Sequence, residues 1–167
     1  NKIFNQCGVA LVGGHTAEGA ELSLGFVVNG LADQAKLMRK SGLKVGDKLI
    51  LTKALGTGSL FAADMRGMAQ GKWIKQAVQN MVLLNQKAAK SLIESGAKAC
   101  TDVTGFGLVG HLYEMLDASQ VSAKLMYHCL PLLEGVVESM EAGIVSTLHT
   151  QNEKASKHIL NYESFAD

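Results

Sequence analysis

Residues 97–111 read Ala97-Lys98-Ala99-Cys100-Thr101-Asp102-Val103-Thr104-Gly105-Phe106-Gly107-Leu108-Val109-Gly110-His111. A short apolar run leads into one acid and two threonines in a glycine-punctuated turn. An amphipathic pattern follows, with Leu108, Leu112, Met115 and Leu116 on one face to about Asp117. The stretch predicts strand, turn and helix. That layout aims backbone N–H groups and the positive end of a helix dipole at an anion. An acid beside such an anion calls for a metal ion, because Mg²⁺ takes one or two carboxylates with phosphate oxygens and water. Asp102 therefore has two readings. It is a metal ligand at a phosphate corner, or it hydrogen-bonds its own turn while Thr104 caps the helix.

Downstream, Val121, Ala123, Leu125, Tyr127 and Cys129 alternate with polar residues and predict a strand that Pro131 stops. Leu133, Val136, Val137 and Met140 predict a helix closed by Gly143, and beyond Thr147 the pattern fades. Upstream, residues 48–52 predict a strand and Gly56-Thr57-Gly58 a tight turn into a helix with Leu60, Ala63 and Met68 inward. After Gly71-Lys72, Ile74, Val78, Met81, Ala88 and Leu92 recur at helical spacing, which predicts one long helix to about Glu94 with Gly96 at its end. Asn85 falls on that apolar face, where an unpaired amide costs roughly 1–3 kcal/mol. It therefore needs a partner in a loop or a ligand.

At the beginning of the chain, residues 8–12 form an apolar run and predict a buried strand. Gly13-Gly14-His15-Thr16-Ala17-Glu18-Gly19 follows. Leu22, Leu24, Phe26 and Val28 then alternate with small and polar residues, the period of a half-buried strand. Residues 33–40 make a short helix or connector. The Gly13-Gly14 turn again supports two readings, a phosphate-contacting loop or a plain turn; it is not a P-loop. The expected fold class is α+β (mixed α/β), a sheet with helices packed mainly on one face.

Composition narrows the function classes. The chain has 167 residues, 47% hydrophobic and 19% charged, with a net charge of +1. It lacks the basic excess that marks nucleic-acid binding and the charge run that marks a membrane surface. No apolar run reaches a membrane span. Cys7, Cys100 and Cys129 are odd in number and form no CxxC pair, so a reducing cytoplasm is expected. Cys100 and Cys129 read as core residues of strands. None of His15, His111, His128, His149 and His158 stands at a zinc spacing, and no residue is assigned a catalytic role. His111 and Glu114 share a helix face, the usual place of a solvated pair. The chain starts in mid-pattern and is expected to be a piece of a longer protein.

Three motifs in order, GGHTAEG at 13–19, LTKALGTG at 51–58 and TDVTGFGLVGH at 101–111, resemble selenophosphate synthetase (selenide, water dikinase). The resemblance covers nearly the whole chain. The wider superfamily includes aminoimidazole ribonucleotide synthetase and thiamine-phosphate kinase, which are similar in layout and differ at the turn. The resemblance implies a two-domain organisation. Residues 1–36 would end an N-terminal ATP-binding domain, and residues 37–167 would form most of a C-terminal α+β domain. It also implies a homodimer, ATP and Mg²⁺ as cofactors, and selenide as the small-molecule substrate. The products would be selenophosphate, AMP and phosphate. Gly13, Gly14, His15 and Thr16 would contact the nucleotide, and Asp102 would be a magnesium ligand. The family's Cys or selenocysteine, its nearby Lys and its other metal aspartates belong to a segment upstream of this sequence, so this stretch is expected to be inactive by itself. Two other readings stand beside this one: a sister ATP-dependent enzyme of the superfamily, and a non-catalytic nucleotide-binding module.

Overall fold

The computed structural model of the chain describes residues 2–162. The chain divides into two units, Asn1–Leu31 and Ala32–Asp167. In the first, helix α1 spans Lys2–Cys7. Two bonds close its end, Gly8 N to Asn5 O at 3.3 Å and Val9 N to Phe4 O at 2.9 Å. Residues 9–31 are irregular. Phe4 meets Phe26 edge to face, with ring centroids 5.8 Å apart.

The second unit carries six α-helices among the described residues: α2 (Thr57–Met65), α3 (Gly71–Val82), α4 (Gln86–Glu94), α5 (Leu108–Ser119), α6 (Val136–Glu141) and α7 (His149–Glu153). Short 3₁₀ turns lie at Gln34–Lys36, Tyr127–Cys129 and Lys154–His158. The core is small. Leu60 of α2, Trp73 and Ala77 of α3, Leu133 and Val136 bury one cluster, and Ala62, Ala63 and Ile144 bury a second. Leu55 binds residues 131–133 from both sides, through Leu55 N to Pro131 O at 2.9 Å and Leu133 N to Leu55 O at 3.0 Å.

The expected α+β fold, with helices on one face of a sheet, does not form. Among the described residues there is no strand, only two isolated parallel bridges, Arg39 with Ala99 and Leu55 with Leu132. A strand satisfies its backbone only through a neighbour, and three or more strands with an apolar face are needed for stability. Residues 9–12, 22–28, 48–52 and 121–126 have the composition of strands and no ladder to join. Their side chains accordingly stay in solvent: Val12 is 92%, Leu22 102% and Val28 81% exposed. Cys129, expected in a core, is exposed, and Cys100 is half-buried.

The helices follow the sequence more closely, with shifts of face. The long helix expected over residues 72–94 breaks at 83–85, so Asn85 lies exposed ahead of α4 rather than on a buried face. The Lys53 ammonium takes the Leu83 carbonyl at the break, and Asn80 Nδ2 donates to Ala54 O at 3.3 Å. In α3 the buried face is Trp73 and Ala77, while Val78 and Met81 point outward. The indole has the largest apolar area in the segment and rotates the helix to cover it. Met68, expected inward, is also exposed. Gly96 and Gly143 end α4 and α6 as expected, with Ala97 N to Leu92 O and Ile144 N to Ser139 O both at 2.9 Å.

Trp73 lies against Gly135, which has φ +88°; a Cβ there would stand 2.1 Å from the ring. Gly135→Ala is expected to destabilise this unit by about 3 kcal/mol or more, since overpacking and a positive φ each cost about 1–3 kcal/mol. Trp73 is the only tryptophan, so thermal unfolding followed by its fluorescence measures the loss directly. An unchanged melting curve would mean that the indole does not pack on this backbone.

Candidate functional site

The turn at residues 101–107 begins where Cys100 N donates to Arg39 O at 2.9 Å, beside the Arg39–Ala99 bridge. It ends at α5. In one of the two readings of the turn Thr104 caps that helix, but the cap position is Gly107, at φ +82° and ψ 161°, and no side chain caps it. Such a conformation is open essentially to glycine alone. With the helix starting three residues later, the Thr104 hydroxyl is released to another partner. It meets His111 Nε2 at 2.9 Å, one turn into α5, while Gly107 N donates to Thr104 O at 3.1 Å.

A second element reaches the turn from α7. Asn152 Nδ2 donates to Gly105 O at 2.8 Å. A cleft of about 270 Å³ lies between α5 and α7, with Phe106, His111, Glu114, Gln151 and Asn152 on its walls. Helix α5 is seated by Leu112 and Met115, both buried. This is the face that the sequence pattern marked.

Charge is arranged along α5. The Lys40 ammonium binds the Glu114 carboxylate and, by hydrogen bond and charge, holds that carboxyl below its ordinary value of 4.5. Partial desolvation opposes the shift, His111 adds to it, and the negative charge of Asp102 weakly opposes it. His111 Nδ1 lies 3.9 Å from Glu114 Oε2 and has no hydrogen-bond partner. The two residues read from sequence as a solvated pair thus each have another partner, His111 the Thr104 hydroxyl and Glu114 the Lys40 ammonium.

Asp102 is exposed, and among the described residues its carboxylate makes no hydrogen bond or ion pair. It does not brace its own turn. A hard divalent cation takes one or two carboxylates, with phosphate oxygens and water completing the shell. Asp102 fits as one such donor. Glu114 is occupied by Lys40, and no group of three or more His, Cys, Asp or Glu side chains is gathered to hold a metal among the described residues. Gly13, Gly14, His15 and Thr16 lie in the first unit. All four are exposed in irregular chain, with nothing within 4 Å of a Cβ placed at either glycine. No helix among the described residues is long and apolar enough to cross a membrane.

Asn152 and Lys40 escaped the sequence reading. Asn152 sits where the hydrophobic period has faded, and its bond spans 47 residues. Lys40 carries no motif, and only the fold brings it to Glu114.

The Glu114 carboxyl, depressed in the folded chain, contributes stability that is present above the ordinary carboxyl value and lost as pH falls through the lowered one. Melting temperatures of the parent and Glu114→Gln, compared from about pH 7 to about pH 3, should therefore differ at neutral pH and converge below 4.5. A gap that persisted undiminished in acid would reject the Lys40 pair as its source.

Residues 44–165 match the family described as AIR synthase related protein, C-terminal domain. Among curated proteins, the selenide, water dikinase of Geobacter metallireducens is 42% identical over 140 residues, covering 84% of this chain and 41% of the relative. The one of Treponema denticola is 39% identical over 145 residues, 87% of this chain and 41% of the relative. The one of Caldanaerobacter subterraneus is 38% identical over 157 residues, 94% of this chain and 46% of the relative. The chain spans less than half the length of these relatives.

Proposed function

From a chain that belongs to the AIR synthase related family through its C-terminal domain, we propose part of an ATP-dependent selenide, water dikinase. The whole protein would convert selenide, ATP and water to selenophosphate, AMP and phosphate. What supports the reading is the identity of 42% and 39% to selenide, water dikinases over most of the chain. It is joined by an unpaired carboxylate at the turn before an uncapped helix. Gly13, Gly14, His15 and Thr16 are proposed as nucleotide contacts and Asp102 as one Mg²⁺ ligand. Residues 1–36 are proposed to close an ATP-binding domain and residues 37–167 to form most of the next. A cytoplasmic homodimer is proposed for the whole protein.

Phosphoryl transfer needs positioning and charge neutralisation more than covalent chemistry from the protein. Bound Mg²⁺ would supply the neutralisation. Asp102 would offer its free carboxylate at a fixed point. The first-turn N–H groups of α5, which no side chain caps, would face the same region with the positive end of a twelve-residue helix.

Selenide-dependent AMP formation by the whole protein tests the activity; AMP that did not depend on selenide would favour a sister enzyme of the superfamily. In that protein Asp102→Asn is expected to lower turnover on the order of 100-fold, the loss that about 3 kcal/mol of transition-state stabilisation represents. Circular dichroism and melting temperature should be unchanged, because the carboxylate braces nothing. Full activity in the variant would remove Asp102 from the metal role.

A further inference from the structure

Two side chains from outside the turn bind it at adjacent residues. His111 Nε2 meets the Thr104 hydroxyl at 2.9 Å, and Asn152 Nδ2 donates to the Gly105 carbonyl at 2.8 Å. Leu148, just ahead of α7, closes the same place: a Cβ on Gly105 would stand 3.0 Å from its Cδ1. Without these contacts the turn keeps Gly107 N to Thr104 O at 3.1 Å and two long bonds at its start, Thr101 Oγ1 to Asp102 O at 3.4 Å and Cys100 Sγ to Thr101 O at 3.8 Å. Two glycines in seven residues would then leave its backbone free to wander. Helix α5 is tied to the 3₁₀ turn Lys154–His158 that follows α7: Tyr113 stacks on His158, with ring centroids 3.5 Å apart and planes 16° from parallel.

We propose that His111 and Asn152 are positioning residues that hold the 101–107 turn, and with it the Asp102 carboxylate, in one place. Neither touches a reacting group. The inference rests on the reading of Asp102 as a cation donor. Both clamps meet a largely exposed turn, although the His111 side chain is itself only 13% exposed. Substitutions that keep the side-chain volume therefore remove the bond while sparing the packing, and a displacement of about 1 Å in a positioned group can cost about 100-fold in rate.

The test uses the whole protein with His111→Phe, Asn152→Leu and Asp102→Asn side by side. The first keeps a planar ring without nitrogen, and the second keeps the volume without the donor. Three quantities are measured: the Mg²⁺ concentration for half-maximal ATP turnover, kcat at saturating Mg²⁺, and amide hydrogen exchange at residues 101–107. Each clamp variant is expected to raise the half-saturating Mg²⁺ about 10-fold, with a smaller effect on kcat. Exchange at the turn should be faster and the melting temperature nearly kept. Should Asn152→Leu fail to fold, Asn152→Ser replaces it. Unchanged exchange in both variants overturns the clamp. A lowered melting temperature with an unchanged Mg²⁺ requirement reduces the two residues to a structural role and overturns the proposal equally. If Asp102→Asn leaves the Mg²⁺ requirement unaltered, the functional reading fails and the inference falls with it. Faster exchange would then still locate the failure in that reading rather than in the clamp.

Discussion

The indole of Trp73 rests on the backbone of Gly135 so closely that one added methyl group would collide with the ring. Around that contact the helical unit is assembled. Trp73 anchors α3, and the residue after Gly135 is Val136, which meets Leu60 of α2 in the same cluster. Polar groups fasten the seam from outside. Lys72 pairs with Glu134, and Glu134 N donates to Gln76 Oε1 at 3.1 Å. Exposed pairs of this kind add little stability by themselves. Here they fix the register in which the indole meets the glycine. A close approach of ring to backbone excludes any side chain at 135, so the core tolerates little change of shape.

The turn that carries Asp102 is held by different means. Leu112 and Met115 seat α5, and the turn ahead of it buries almost nothing. Its shape depends on a few hydrogen bonds and on one glycine at a dihedral pair closed to other residues. Segments of this type occupy the low-stability end of a protein. That suits a loop which must present a charged group to solvent, and it explains why polar clamps from α5 and α7 are needed. The carboxylate is left unpaired while its acidic neighbour Glu114 is neutralised by Lys40. A second free carboxylate beside Asp102 would raise repulsion without adding structure.

Much of this was legible in local sequence. The turn and α5 could be read from Gly105, Gly107 and the spacing of Leu112 and Met115, because helix periodicity and glycine punctuation act within a few residues. The same holds for the ends of α4 and α6. The face of α3 was misread because spacing alone does not weigh an indole against an isoleucine. The break at residues 83–85 was missed; the Lys53 ammonium that takes the Leu83 carbonyl there lies 30 residues away in sequence. Asn152 and Lys40 were invisible, since a contact across 47 or 74 residues leaves no local trace.

The strands show the limit from the other side. Residues 22–28 alternate as cleanly as any strand, yet Leu22, Leu24 and Val28 stand in solvent. Alternation specifies which side chains would share a face; it supplies no partner for the backbone between them. A helix closes its hydrogen bonds within its own segment, so local pattern suffices to build one. A strand closes them on another segment, so local pattern is only half of its condition. Residues 97–100 make the point at the candidate site itself. They obtain one bridge, to Arg39, and that single backbone contact is what remains of the strand in the strand–turn–helix reading. The turn and helix stand without the rest of it, so the role proposed for Asp102 does not depend on the sheet that failed to form.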